Sequence, residues 1–260
     1  MSGTVQFAVE GTTATVTLSH PGKLNAISAQ MWEALTAGFT RLSADASLRC
    51  VVVRGADGNF AAGADIAEFP TVRGDEAAVR RYHMEIIAPA LAAIAGCLHP
   101  TVAMIEGVCV GGGLEIASHC DLRIAADNSR FGVPINRLGF PMAPGELKGL
   151  LALAGRAVAL EILLEGRVFD AAEAREKGLL TRVVAAGGVA AEVEATVRRI
   201  TDGAPLAARI NKATIRRLSP QPEPLSDEEL SAHFAYAEGG DHAEGVAAFL
   251  AHRPPRFTGN

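Results

Sequence analysis

One stretch near the middle of the chain, residues 102–121, restricts the possible folds more than any other. Its apolar residues up to Gly107 predict a buried strand, the Gly-Gly-Gly run at residues 111–113 predicts a turn, and the residues that follow are typical of a helix. Because glycine has no Cβ and the first N–H groups of a helix lack internal partners, this turn can present donors to an anionic or polarised oxygen. Glu115 lies in the first helical turn, beside those donors.

The same stretch is also compatible with a simpler structure, a tight turn packed under a helix, in which Glu115 only complements the helix dipole. A nicotinamide cofactor is a weaker interpretation. A dinucleotide-binding turn requires Gly-x-Gly-x-x-Gly, and the glycines at positions 107–113 do not have that spacing.

A second turn of small residues, residues 59–69, follows the buried strand that is predicted for residues 50–53. Two such turns, each after a buried strand, can direct two backbone N–H groups at one oxygen, which is the geometry of an oxyanion hole. Taken alone, this second stretch is also compatible with an ordinary strand-to-helix connection capped by Asp65.

Composition excludes several classes of protein. Of the 260 residues, 49% are hydrophobic and 20% are charged, which is typical of a compact globular chain rather than a disordered one. A net charge of -5 does not favour a nucleic-acid partner. The four cysteines lie in or beside apolar runs without metal-ligand spacing, so we expect buried thiols, no metal site and a reducing compartment.

Membrane and secretion signals are also lacking in the sequence. No apolar run reaches the length of a transmembrane helix, and residues 1–10 lack the charged start and apolar core of a signal peptide. We therefore expect a cytoplasmic protein without a membrane partner.

The order of predicted elements indicates an α/β fold with a helical end. A hairpin at residues 5–18 opens the chain, and strand, turn and helix then recur without a clean sequence period. From Pro205 onward helices dominate, and a proline-containing linker at residues 221–224 divides them. The apolar Phe249 and Leu250 predict that the terminal helix packs on its own core or on another subunit.

Three segments resemble the crotonase superfamily, the enoyl-CoA hydratase/isomerase proteins: residues 60–66, residues 111–121 and residues 244–250. The resemblance extends over nearly the whole chain. It implies a ClpP-like spiral of strand-strand-helix units over residues 1–200 and a helical trimerisation region over residues 201–260. It also implies homotrimers that often pair into hexamers.

The resemblance also implies a site for an acyl-CoA thioester. The N–H groups of Ala64 and Gly112 match the two oxyanion-hole donors, and Glu115 matches the main acid/base. Coenzyme A then enters as part of the substrate and not as a separate cofactor. The positions that match residues along the coenzyme A are Lys23, Ala26, Ala62, Asp65 and Ile66.

Two further matches lie near the end of the chain. Phe249 and Arg253 match positions that, in relatives, reach the coenzyme A site of a neighbouring subunit. The position that usually holds lysine is His252 here. A histidine carries that positive charge only in part at neutral pH.

One position departs from the hydratase pattern. Hydratases of this superfamily carry a second glutamate directly after a Phe-Gly-x-Pro strand, and Ile135 occupies that position here. Isoleucine cannot transfer a proton. Since hydration needs a base for the water and an acid for the α-carbon, losing one of them should slow the reaction roughly 10²- to 10⁴-fold.

Two nearby residues can compensate for Ile135. Glu146 can bring a carboxylate into the pocket, or it is simply an acid at a helix start, and Asn136 can orient water without titrating. The leading hypothesis is therefore an enoyl-CoA hydratase, a lyase. The alternatives are an isomerase, a decarboxylase or a thioesterase on the same site, or a non-catalytic acyl-CoA-binding or assembly subunit.

A hydrolase triad is a weak interpretation of Ser118, His119 and Asp121. Neighbouring residues of one helix point in different directions and cannot converge on one reacting atom. We expect His119 to have a packing role. The acyl pocket itself is expected between residues 69–87 and residues 134–146.

Overall fold

Two β-sheets organise the structure, a computed structural model that describes residues 2–220 and 223–259. The main sheet has the strand order β1-β2-β3-β4-β6-β9, in which only β1 and β2 are antiparallel, and the small sheet has the order β5-β7-β8. The strands are β1 (Thr4–Glu10), β2 (Thr13–Ser19), β3 (Cys50–Gly55), β4 (Thr101–Ile105), β5 (Val108–Val110), β6 (Leu122–Ala126), β7 (Arg130–Gly132), β8 (Phe169–Asp170) and β9 (Arg182–Val184).

Helices cover the main sheet on both faces and form the C-terminal end. They are α1 (Ala29–Ala44), α2 (Phe69–Val72), α3 (Glu76–Arg81), α4 (Ala88–Gly96), α5 (Gly112–His119), α6 (Pro144–Glu165), α7 (Ala171–Glu176), α8 (Val189–Thr201), α9 (Pro205–Leu218), α10 (Asp227–Phe234) and α11 (Gly240–Leu250). None of the helices in the part of the chain that the structure describes is long and apolar enough to span a membrane.

The continuous apolar run of β3 is explained by burial on both faces. Val51 and Val53 belong to the large core that α1 and α4 cover, whereas Cys50 and Val52 belong to a second core that α8 covers. A strand that is buried on both faces needs apolar residues at every position and not at alternate ones. All four cysteines are buried free thiols, as predicted.

The strand predicted up to Gly107 is β4, and a second strand, β5, lies between it and the glycine turn. β4 ends at Ile105, Gly107 turns the chain with φ of 55°, and β5 then pairs with β7 in the small sheet. A Cβ at position 107 would lie 2.4 Å from the Gly58 carbonyl oxygen, so only glycine fits at this turn. The strand that leads into the glycine turn therefore belongs to a different sheet from the strand before it.

Two helical regions depart from a regular α-helix. A π-helical part, Tyr82–Ile87, lies between α3 and α4. This part brings Tyr82 and His83 into the interior, and π-helical turns are frequent at functional sites. In α6, Gly155 has φ of 71° and interrupts the helix.

The helical end of the chain begins as predicted. Ser226 and Glu229 form a capping box at the start of α10. Residues 221 and 222 of the predicted linker lie outside the described residues. Phe234 of α10 and Ala248 of α11 are buried, whereas α9 buries none of its residues.

We predict that Gly113→Ala destabilises the protein although alanine favours helices. An added Cβ would lie 2.3 Å from the Ala61 carbonyl oxygen, so α5 would have to move away from the residues that follow β3. Overpacking of this kind lowers the free energy of unfolding by about 1–3 kcal/mol, measured by urea denaturation. The control is Gly203→Ala, where the nearest atom is 3.4 Å away. Equal stability of Gly113→Ala and the wild type would contradict this account.

Candidate active site

The two small-residue turns lie against each other. Ala61 N–H donates to the Val108 oxygen at 2.9 Å, and Val110 N–H donates to the Ala61 oxygen at 3.0 Å, so the first turn is held on strand β5. A Cβ on Gly112 would lie 3.6 Å from the Ala64 nitrogen. The backbones of the two turns therefore approach each other closely at the start of α5.

The N–H groups of Ala64 and Gly112 are both available at this contact. Ile27 N–H donates to the Gly63 oxygen at 2.7 Å and Asp65 N–H donates to the Ile27 oxygen at 2.9 Å, so both neighbours of Ala64 are engaged. Among the described residues, no acceptor is bonded to the N–H of Ala64 or of Gly112. Two adjacent free donors of this kind can hold one negatively charged oxygen.

A cavity of about 300 Å³ opens at these turns. Its lining comes from the two turns with the start of α5, from α1, from the segment that begins with α2 and ends before α4, from the segment between β7 and the first turn of α6, and from α11. The lining residues are Trp32, Ala62, Gly63, Ala64, Ile66, Phe69, Arg73, Ile87, Val110, Gly111, Gly112, Glu115, Pro134, Ile135, Arg137, Leu138, Phe140, Glu146 and Phe249. Both segments that the sequence indicated as acyl-pocket walls, residues 69–87 and 134–146, contribute.

Glu115 is the first of two buried carboxyl groups in the cavity wall. It lies in the first turn of α5 and is 7% exposed. Burial raises the pKa of Glu115 well above its ordinary value, repulsion by Glu146 raises it further, and Arg73 opposes the rise. The buried site therefore favours the protonated form of this carboxyl group, the form that can donate a proton.

Glu146 is the second carboxyl group. It lies in the first turn of α6 but is only 3% exposed, and His83 Nδ1 is hydrogen-bonded to its Oε1. Burial raises the pKa of Glu146 to about 7, and Arg73 opposes the rise. Burial also lowers the pKa of His83 well below its ordinary value, so this contact is a hydrogen bond of a neutral imidazole and not an ion pair.

Ile135 adds an apolar wall to the cavity. It packs against Phe69, Leu138 and Phe140. The position therefore supplies no proton chemistry, and Glu115 and Glu146 are the carboxyl groups that line the cavity.

The sequence of this chain is similar to those of known proteins. Residues 8–260 match the family described as enoyl-CoA hydratase/isomerase. A relative from Mycobacterium bovis, "Probable enoyl-CoA hydratase echA8", is 36% identical over 245 residues, which cover 94% of this chain and 93% of the relative. The chain belongs to the enoyl-CoA hydratase/isomerase family.

Solved structures confirm the predicted crotonase fold. The crystal structure of an enoyl-CoA hydratase/carnithine racemase from Magnetospirillum magneticum has a TM-score of 0.82 and 46% identity, covering 100% of this chain and 97% of that one. A methylmalonyl-CoA decarboxylase in complex with 2-nitronate-propionyl-CoA has a TM-score of 0.88 and 27% identity, with 99% of each chain covered. This member of the enoyl-CoA hydratase/isomerase family therefore has the family fold over its whole length, and its membership supports an enzymatic role.

The residues predicted to lie along coenzyme A have different surroundings in this family member. Ala62 and Ile66 line the cavity. Lys23 Nζ forms an ion pair with Asp65 Oδ2 at 2.7 Å beside the turn, and Asp65 also caps the 3₁₀ helix Ile66–Glu68. Ala26 is buried, and its oxygen is 2.7 Å from His20 Nδ1.

The two C-terminal residues that were grouped in the prediction are separated. Phe249 on α11 lines the cavity of its own chain and is 50% exposed. Arg253 forms two hydrogen bonds to Glu244, at 2.6 and 2.7 Å. It lines a different cavity, of about 680 Å³, between α11 and the last residues.

The three side chains of the weak triad interpretation do not form a triad. Ser118 Oγ and His119 Nδ1 lie 3.4 Å apart, and both contact the Glu115 carbonyl oxygen at 2.8 Å. The Asp121 carboxylate instead accepts hydrogen bonds from Thr101 and Lys212. His119 therefore stabilises the helix that carries Glu115, in agreement with the expected packing role.

Two residues of the site were missed by sequence reasoning, His83 and Arg73. His83 reaches Glu146 because of the π-helical segment, and Arg73 is a single arginine in a polar stretch after α2. Neither position belongs to a motif. The only available signal was that both lie in the segment expected to line the acyl pocket.

The raised pKa of Glu146 predicts a pH dependence of stability. Because the folded state holds this proton more tightly than the unfolded chain, Glu146 makes the free energy of unfolding fall as pH rises from about 5 to about 7. In Glu146→Gln this decline should be smaller by on the order of 2–3 kcal/mol. The measurement is urea unfolding from pH 5 to pH 8, with the exposed Glu10→Gln as control. An identical decline in Glu146→Gln and the wild type would show that Glu146 is not the group responsible.

Proposed function

We propose that this protein is an enoyl-CoA hydratase, a lyase that adds water across the double bond of a 2-enoyl-CoA thioester. The observation that carries the proposal is the position of two buried carboxyl groups, Glu115 and Glu146, in one cavity with the free N–H groups of Ala64 and Gly112. Hydration requires these three functions: an acid, a base and a site for the enolate oxygen.

In the proposed reaction the thioester oxygen accepts hydrogen bonds from Ala64 N–H and Gly112 N–H. Ionised Glu146, oriented by His83, takes a proton from water while the water oxygen bonds to C3 of the acyl group. Negative charge then accumulates on the thioester oxygen, where the two donors stabilise it. Protonated Glu115 transfers its proton to C2, and a proton passes from Glu146 back to Glu115 before the next cycle.

The pKa values of the two carboxyl groups support this division of roles. A group with a pKa of about 7 is ionised in part of the molecules at neutral pH and is suited to act as a base. Burial and repulsion by Glu146 raise the pKa of Glu115 well above its ordinary value, which favours the protonated form that an acid requires. Burial supports this role for Glu146 over that of a plain helix-start acid, since such acids face solvent.

The other parts of the proposal follow the family resemblance. Lys23, Ala26, Ala62, Asp65 and Ile66 contact the coenzyme A part of the substrate, and no separate cofactor is needed. Phe249 and Arg253 contribute at a subunit boundary of a homotrimer or hexamer formed through residues 201–260. The cytoplasmic location stays a prediction.

Hydration is measured as the loss of ultraviolet absorbance of the conjugated thioester on mixing with a short 2-enoyl-CoA. Glu115→Gln and Glu146→Gln should each lower kcat by roughly 10²- to 10⁴-fold, because each removes one proton-transfer group. Glu10→Gln serves as the matched control and should keep the wild-type rate.

Other outcomes of this experiment distinguish the alternatives. A bound enoyl thioester that keeps its absorbance excludes hydration and favours isomerisation, decarboxylation or thioester hydrolysis on the same site. Failure of every thioester to react while binding persists favours an acyl-CoA-binding subunit. Unchanged kcat in Glu146→Gln alone removes Glu146 from the mechanism.

The proposed trimer predicts a specific interface. Leu206 and Ile210 lie on one face of α9 and are 66% and 55% exposed. Neighbouring apolar side chains with this much exposed surface are typical of an interface with another protein. Light scattering should give three or six times 27.0 kDa for the wild type. Replacing both residues by glutamate should lower the mass toward that of one chain, whereas Val9→Glu on the edge strand β1 should not. A wild-type mass of 27.0 kDa would contradict the trimer.

A further inference from the structure

Arg73 is a buried cation in the wall of the candidate acyl pocket. It follows α2 directly, is 6% exposed and lines the 300 Å³ cavity together with Glu115 and Glu146. Charged side chains are almost never buried to this extent unless a partner compensates them.

Aromatic rings contact the faces of the guanidinium group. Its carbon Cζ lies 3.8 Å from the ring centroid of Phe69, 4.6 Å from that of Phe140 and 4.9 Å from that of Tyr82. Such stacking fixes the plane of a guanidinium group but uses none of its N–H bonds. The hydrogen-bonding edges of Arg73 remain available.

Those edges have no acceptor within the protein. Nε and Nη1 are shielded from solvent, and among the described residues no oxygen accepts a hydrogen bond from the Arg73 side chain and no carboxylate forms an ion pair with it. Leaving buried donors unsatisfied is unfavourable, and more so for charged donors. A ligand that supplies an acceptor at this place removes the penalty.

The charge balance of the cavity favours an anionic acceptor. Burial raises the pKa of Glu115 above its ordinary value and that of Glu146 to about 7, so both ionise less readily than exposed carboxyl groups. Among the described residues, neither carboxyl group is hydrogen-bonded to Arg73. Ile135, Phe69 and Leu138 add no charge. The positive charge of Arg73 is therefore compensated only in part by the protein itself.

We propose that Arg73 binds a carboxylate carried by the acyl group of the substrate. The substrate class is then dicarboxylic acyl-CoA thioesters, in which the second carboxylate lies beyond the reacting carbons. A planar guanidinium fork accepts a carboxylate through two parallel N–H···O bonds, which an alkyl terminus cannot form. The inference rests on the proposed function, since it assumes that Ala64 and Gly112 hold the thioester.

The test compares saturated thioesters, which cannot be hydrated, in pairs of equal acyl length. Dissociation constants are measured by calorimetry for succinyl-CoA against butyryl-CoA and for glutaryl-CoA against valeryl-CoA. We expect wild-type protein to bind the carboxylate member of at least one pair about 10- to 100-fold more tightly, the usual effect of hydrogen bonds to a charged group.

The variant Arg73→Met keeps an unbranched apolar side chain and removes the guanidinium group with its charge. It should reduce the preference to about one while leaving the affinities for butyryl-CoA and valeryl-CoA within threefold of the wild type. A purely structural arginine would instead weaken all four thioesters to the same degree. The matched control is Arg137→Met, an exposed arginine of the same cavity, which should leave the preference unchanged.

Each remaining outcome is decisive. If butyryl-CoA binds but neither pair favours the carboxylate, or if Arg137→Met and not Arg73→Met removes the preference, this inference is overturned and the proposed function stands. If none of the four thioesters binds, both are overturned. If Arg73→Met fails to fold, two measurements remain. The inference then requires that the wild type prefers the carboxylate thioester and that Arg137→Met keeps this preference, and loss of either result overturns it.

Discussion

The close approach of two glycine-containing turns is the constraint on which the rest of the site depends. The turn at Gly63 is hydrogen-bonded to β5, and Gly112 begins α5 with its Cα facing the nitrogen of Ala64. A Cβ at Gly113 would collide with the Ala61 carbonyl oxygen. Because no side chain separates the two backbones, Ala64 and Gly112 line the same cavity with their N–H groups unbonded, and Glu115 lines it from the first turn of α5.

The second physical theme is the burial of charge. Glu115, Glu146 and Arg73 line one cavity whose other lining side chains are mostly aromatic and aliphatic. Burial raises the pKa of both carboxyl groups, while Arg73 opposes these shifts. The proposed pairing of an acid with a base depends on these shifts and needs no glutamate at position 135. The guanidinium group of Arg73 is stacked on Phe69 and Phe140, which leaves its buried Nε and Nη1 without an acceptor among the described residues.

Sequence patterns predicted most of the fold because its elements carry local signals. The β1–β2 hairpin, the Ser28 cap of α1, the capping box at Ser226 and the crotonase resemblance of residues 60–66 and 111–121 all depend on neighbouring residues. The second sheet was missed because β5 is three residues long and its pairing with β7 is a non-local property. His83 was missed because a π-helical segment changes which face of a helix points inward.

The sequence by itself determined the family, the fold class and the identity of the chemical groups. It also determined that Ile135 cannot transfer a proton and that Glu146 is a candidate to replace the missing carboxylate. Only the tertiary structure decided that Glu146 is buried beside the same cavity as Glu115, that His83 holds it, and that Arg73 lines this cavity with unsatisfied donors. The physical reason is that burial and pKa depend on atoms supplied by segments far apart in the chain. A residue type fixes what a group can do, and its surroundings fix whether it carries a proton.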